Sequence, residues 1–101
     1  MTFDSRAIPR RQPRFQITTD ITVSGIDKEG HYFSTSGQVL NGSTEGMGIL
    51  LDRELFPFTS LVISVPRDHR TFQIQSEVRH VTPSGKGQNL VGVRFRKTTL
   101  I

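Results

Sequence analysis

Two short stretches of this 101-residue chain carry residue types that could do chemistry together: Arg10-Arg11-Gln12-Pro13-Arg14 near the start and Asn41-Gly42-Ser43-Thr44-Glu45-Gly46 in the middle. The flat guanidinium of arginine makes paired hydrogen bonds to phosphate or to a guanine edge and stacks on planar rings. An amide, a hydroxyl and a glycine in one polar turn add an acceptor, a donor and open backbone. That combination suits capture of a guanine-containing phosphate ligand. Each stretch alone also has a plainer reading. Asn-Gly is a favoured turn dipeptide, and a charged, proline-containing terminus can simply be solvated.

Residues for catalysis are thin. His31, His69 and His80 are scattered over loop and strand ends without ligand-like spacing, no carboxylate cluster accompanies them, and they read as surface histidines. Gly85-Lys86-Gly87 is not a phosphate loop, because His80 stands where the glycine five places earlier belongs and no helix follows. With zero cysteines, thiol catalysis, disulfides and thiolate metal sites are excluded. The expectation is a binding module with no catalytic residue, no metal and no catalytic cofactor. Asn41-Gly42-Ser43 matches a glycosylation sequon, an incidental match without a secretory signal.

Charge supports an anionic ligand. The net charge is +4, arginine outnumbers lysine ten to three, and Arg6, Arg10, Arg11 and Arg14 against Asp4 leave the first fourteen residues at +3. No stretch approaches the roughly 18 consecutive apolar residues of a membrane span, and no apolar signal-peptide centre appears. A cytoplasmic protein without membrane insertion is expected. At 34% hydrophobic content the chain can fill one core and is too short for two.

The elements that must position these residues are strands. Residues 1–13 lack apolar periodicity, and Pro9 and Pro13 discourage a helix, so they read as a flexible basic arm preceding a barrel of residues 14–101. Phe15, Ile17, Thr19, Ile21 and Val23 share one parity, the pattern of a half-buried strand. Ser24 to His31 reads as a hairpin loop and Tyr32 to Leu40 as a second strand. The Asn41 to Gly46 turn and a short strand around Ile49-Leu50-Leu51 come next. Asp52 to Thr59 is a connection whose Leu55, Phe56 and Phe58 plug one end of the core. A fourth strand, Leu61 to Val65, stops at Pro66. Phe72, Ile74 and Val78 define the inner face of a fifth strand with Arg79 outward, and Thr82 to Asn89 reads as a turn. In the last strand Val91, Val93 and Phe95 face inward, with Gly92, Arg94 and Arg96 outward. Six strands without an amphipathic helix predict an all-β fold, a small six-stranded antiparallel barrel whose closure removes exposed sheet edges.

In these motifs the chain resembles the PilZ domain family, receptors for the bacterial second messenger cyclic di-GMP. The family's Arg-x-x-x-Arg before the first strand is matched by Arg10 and Arg14, and its Asp/Asn-x-Ser-x-x-Gly after the second by Asn41, Ser43 and Gly46. Gly48-Ile49-Leu50 and Val91-Gly92-Val93-Arg94-Phe95 are also similar to the family's pattern. The resemblance implies cyclic di-GMP as ligand, bound by Arg10, Arg14, Asn41, Ser43 and Gly46, with Arg11, Arg79, Arg94 and Gly92 as secondary candidates. The arm's concentrated charge and lack of apolar anchors add the expectation of a disorder-to-order switch in the arm that signals to a downstream protein partner. Arg6 offers an overlapping frame with Arg10, but Phe15 directly after Arg14 favours the later one. Only five residues follow Arg96, leaving little or no room for the C-terminal helix of many relatives. The competing reading is a small barrel that binds RNA or single-stranded DNA through the same basic arm. Such binders present exposed aromatic platforms, and most aromatics here fall on inward parity or in the Leu55 to Phe58 segment.

Overall fold

The computed structural model describes residues 19–101. Six strands run in chain order as β1 (Thr19–Ile26), β2 (Tyr32–Gly42), β3 (Gly46–Leu51), β4 (Ser60–Arg67), β5 (Arg70–Gly85) and β6 (Gln88–Leu100). They close as β1-β2-β3-β6-β5-β4, every neighbouring pair antiparallel. The fold is an all-β barrel, and the described residues contain no helix long and apolar enough to cross a membrane.

Alternating side chains build the interior. Ile21 and Val23 of β1, Val39 of β2, Ile49 and Leu51 of β3, Leu61 and Ile63 of β4, Ile74 and Val78 of β5, and Val91 and Val93 of β6 are all buried. Fully burying a side chain of this size contributes about 1.5–3 kcal/mol relative to leaving it exposed. Phe33 and Leu55 complete the core.

Several expected boundaries move, each for an identifiable reason. Phe15 to Thr18, the expected beginning of the first strand, lie outside the described residues. That strand continues to Ile26, where a loop expected from Ser24 shrinks to a turn held by Asp27, whose carboxylate accepts the backbone N–H groups of Glu29 (3.0 Å) and His31 (2.9 Å). Pro66 does not stop β4. It pairs with Thr71 beyond the last β1–β4 pair, Thr22 with Ser64, so its missing N–H costs no bond on that side.

Most of the expected Thr82 to Asn89 turn is also ladder. The β5–β6 register continues to Gly85 opposite Gln88, and only Lys86 and Gly87 turn, with φ of 57° and 75°. Two positive φ values in a two-residue connection match the twist of the strands they join. Pro83 is tolerated there because β5 has passed Glu77, its last partner for β4, and pairs only with β6.

The aromatic plug is corrected as well. Leu55 is buried, but Phe56 and Phe58 are 53% and 69% exposed. The backbone of this loop is pinned to β5, with Phe58 N–H donating to the Val78 carbonyl (2.6 Å) and Val78 N–H to that of Thr59 (2.9 Å). This leaves the rings outside, where the Lys28 ammonium lies 5.3 Å from the Phe56 ring centre. Phe33 plugs the core in their place.

Candidate ligand-binding site

The polar turn of the sequence is mostly strand. Asn41 and Gly42 still belong to β2, opposite Gly48 and Met47, and Gly46 already opens β3. Between them Ser43 N–H donates to the Gly46 carbonyl (2.9 Å), and the Ser43 hydroxyl accepts the Glu45 N–H (3.3 Å). Serine suits this position because its short side chain can mimic a backbone acceptor in a turn.

One row of residues crosses four strands on the outer face: Asn41 of β2 opposite Gly48 of β3, Gly48 opposite Gly92 of β6, and Gly92 opposite His80 of β5. Two bulges produce it. Val39 is buried, so uninterrupted alternation would turn Asn41 inward, but the register shift between Val39 and Asn41 makes Leu40 an extra residue and aims Asn41 outward. In β5 the shift between Val78 and His80 makes Arg79 the extra residue, so Arg79 and His80 both lie outside while Val81 returns to the core. Bulges commonly re-aim side chains in this way.

The two glycines make room for the side chains beside them. A Cβ built on Gly48 would lie 3.1 Å from Asn41 Oδ1. One on Gly92 would overlap the imidazole of His80, 2.8 Å from Nδ1. Gly46 answers to a different constraint: it faces Arg94 on β6, and a Cβ there would run into the Val93 carbonyl.

These residues enclose a groove of about 360 Å³, lined by Asn41, Gly42, Ser43, Gly46, Met47, Gly48, Arg79, His80, Leu90, Gly92 and Val93. Among the described residues no carboxylate lines it, Arg79 supplies a cation, and Leu90 supplies apolar surface. Such a surface can receive an anionic ligand with a flat apolar ring. Another depression of about 420 Å³ lies between β1, β4 and β5, among Ser24, Tyr32, Gln75 and Arg96. It contains none of the motif residues.

Among the expected site residues, Asn41, Ser43, Gly46, Arg79 and Gly92 thus line one groove. Arg94 instead lines an adjoining depression with Glu77, Phe95 and Arg96, where Arg96 pairs with Glu77 at 3.4 Å. Arg10, Arg11 and Arg14 lie outside the described residues. His80 was read from the sequence as a scattered surface histidine, and it is a wall of the groove. Only its place directly after a bulge brings it there, and a bulge leaves no signal in a single sequence.

Carboxylates do accompany another histidine, contrary to expectation. Asp27, Glu29 and His31 bring potential metal-ligand atoms within 4.8 Å of one another. Asp27 is already engaged as the acceptor that closes the β1–β2 turn. The His31 N–H does most to hold its carboxyl below the usual carboxylate range; desolvation opposes it, and the Glu29 N–H and the charges of His31 and Arg53 add smaller lowering effects.

A comparison with curated proteins returned no match. A family model, described as PilZ domain, matches residues 8–100, a span that takes in both sequence motifs and all six strands. With an all-β barrel that carries Asn41, Ser43 and Gly46 on one groove and a family match over nearly its whole length, the chain belongs to the PilZ domain family.

Proposed function

We propose that this domain is a receptor for cyclic di-GMP, with the groove between Asn41 and His80 as its ligand site and Arg10 and Arg14 as the residues that close it. The observation that carries this reading is the convergence of Asn41, Ser43, Gly46 and Arg79 on one groove of about 360 Å³ that no carboxylate of the described residues lines. The ligand presents two phosphodiester charges and two guanines. Asn41 supplies an amide carbonyl for guanine N1 and N2 hydrogens, Ser43 a hydroxyl, and Arg79 a cation for phosphate. Arg10 and Arg14 add paired donors to guanine O6 and N7 or to phosphate.

Chain geometry supports their participation. Thr19 pairs with Val39, two residues before Asn41. Arg14 precedes Thr19 by five residues, and a chain of that length spans at most about 18 Å. A segment of that length is long enough for Arg14 to reach the groove. Ligand bridging the two motifs draws the arm across the barrel, and this change is what a downstream protein reads. The domain acts as a switch with no catalytic step.

Nucleic-acid binding has one observation in its favour, since Tyr32 is 71% exposed and Phe56 and Phe58 are exposed too. Of these rings, Tyr32 stands away from the motif. Tyr32 begins β2 and Asn41 is nine residues along it, about 30 Å at the rise of a strand. A base stacked on Tyr32 would not reach the groove.

Isothermal titration of the full chain with cyclic di-GMP, in competition with GMP and with single-stranded oligonucleotides, tests the reading. Saturable binding of cyclic di-GMP alone is expected, with Arg10→Ala and Arg14→Ala each costing about 1–3 kcal/mol, roughly 5- to 150-fold in affinity, while the barrel stays folded. Preferential binding of oligonucleotides, with a steep loss of affinity in salt, would decide for the alternative.

A further inference from the structure

His80 stands opposite Gly92 and directly after the bulged Arg79. A Cβ built on Gly92 would lie 2.8 Å from His80 Nδ1 and 2.5 Å from Nε2, with Cε1 nearer still. Nδ1 and Nε2 flank Cε1 in the ring, so both can be this near only when the ring turns its face, not its edge, toward the glycine. One face of the imidazole therefore lies flat on the sheet. The other looks outward, since His80 is exposed and lines the groove.

We propose that His80 is the base-stacking platform of this site, its outer face receiving one guanine of cyclic di-GMP. The inference rests on the reading of the groove as the cyclic di-GMP site and adds the residue that holds the base. A planar ring seated on a glycine rests with one face outward before ligand arrives, and histidine is among the side chains on which nucleic-acid bases stack. The neighbouring strand is about 5 Å away. There the Asn41 amide lies over Gly48, its Oδ1 3.1 Å from where a Cβ would stand. A base lying over His80, above Gly92, thus has the Asn41 amide over the facing Gly48 beside its hydrogen-bonding edge. Arg79, beside His80, faces the phosphate that follows the base. Stacking on the ring selects a planar base, and the amide selects guanine.

The test is isothermal titration of the full-length chain with cyclic di-GMP, comparing the wild type with His80→Ala, His80→Gln and His80→Phe, each confirmed as folded by circular dichroism. His80→Ala should lose about tenfold or more in affinity, the usual effect of removing an aromatic platform. His80→Gln keeps a hydrogen-bonding group without a ring and should fall with alanine. His80→Phe keeps the flat face and should stay near the wild type. Wild-type affinity in His80→Ala would overturn the stacking role while leaving the receptor reading intact. Retention by His80→Gln with loss in His80→Phe would also overturn it, replacing stacking by hydrogen bonding. If the wild type itself bound no cyclic di-GMP, the receptor reading would fail, and this inference with it.

Discussion

Gly46 and Gly92 sit in one groove for unlike reasons, and a single methyl group separates them. At Gly46 the obstacle is the backbone carbonyl of Val93, which belongs to a paired strand and cannot swing aside. At Gly92 the obstacle is the exposed His80 side chain, which can rotate away. Gly46→Ala is expected to destabilise the barrel by about 1–3 kcal/mol, the usual cost of forcing an extra carbon into packed backbone. Gly92→Ala should cost less than about 1 kcal/mol, because a movable surface ring relieves the overlap. Urea unfolding of both variants measures the difference, and equal losses would refute the distinction. The motif glycine is thus a packing requirement of β3 on β6 as well as a lining residue. Ser43 has a similar double duty, since its hydroxyl already accepts the Glu45 N–H.

At the scale of elements, the bulges decide which residues meet. Without the one at Arg79, strict alternation from the buried Val78 would send His80 inward and Val81 to solvent. With it, Val81 pairs with Val91 and packs against the core while His80 faces out. A charge at position 81 therefore reports the register. Val81→Asp should destabilise by about 1–3 kcal/mol, the cost of partly burying an unpaired polar group. A chemical-denaturation midpoint equal to the wild type's would mean that Val81 faces solvent and that the bulge is absent. The Leu40 bulge performs the same service for Asn41. The walls of the groove are two residues that simple alternation would have hidden.

For the whole molecule, barrel closure depends unequally on its seams. β5 and β6 share twelve register pairs and are joined by a two-residue turn, whereas β1 and β4 share four, Thr22 to Gly25 with Ser64 to Leu61. β2 and β3 also share four pairs, but the short turn at Ser43 tethers them. β1 and β4 have no such local link, so their pairing alone meets the loop-closure cost of joining distant parts of the chain. Hydrogen exchange is expected to show the β1–β4 amides opening before those of the β5–β6 core, as the least stable cooperative unit. Simultaneous exchange across all seams would show that the barrel opens only globally.

Much of the architecture was legible in residue order. Alternation of Ile21 with Val23, of Leu61 with Ile63 and of Val91 with Val93 marks strands with one buried face, because the side-chain period of a strand is two and holds locally. The two motifs likewise single out Asn41, Ser43 and Gly46 by residue type and spacing alone, and the family match over residues 8–100 spans both motifs. Strand ends were less legible. Whether Pro66 or Pro83 ends a strand depends on which neighbour occupies each side, a property of the closed sheet. Phe56 and Phe58 look like core by composition, and lie outside because backbone bonds to β5 hold their loop flat. His80 shows the same limit at the site. Its type and position carry no signal alone, and it becomes a wall of the groove only when an extra residue in β5 turns it outward onto a glycine of β6. Periodicity is a property of one strand, whereas a bulge is defined against its partner, so the partner must be in place before the face is known.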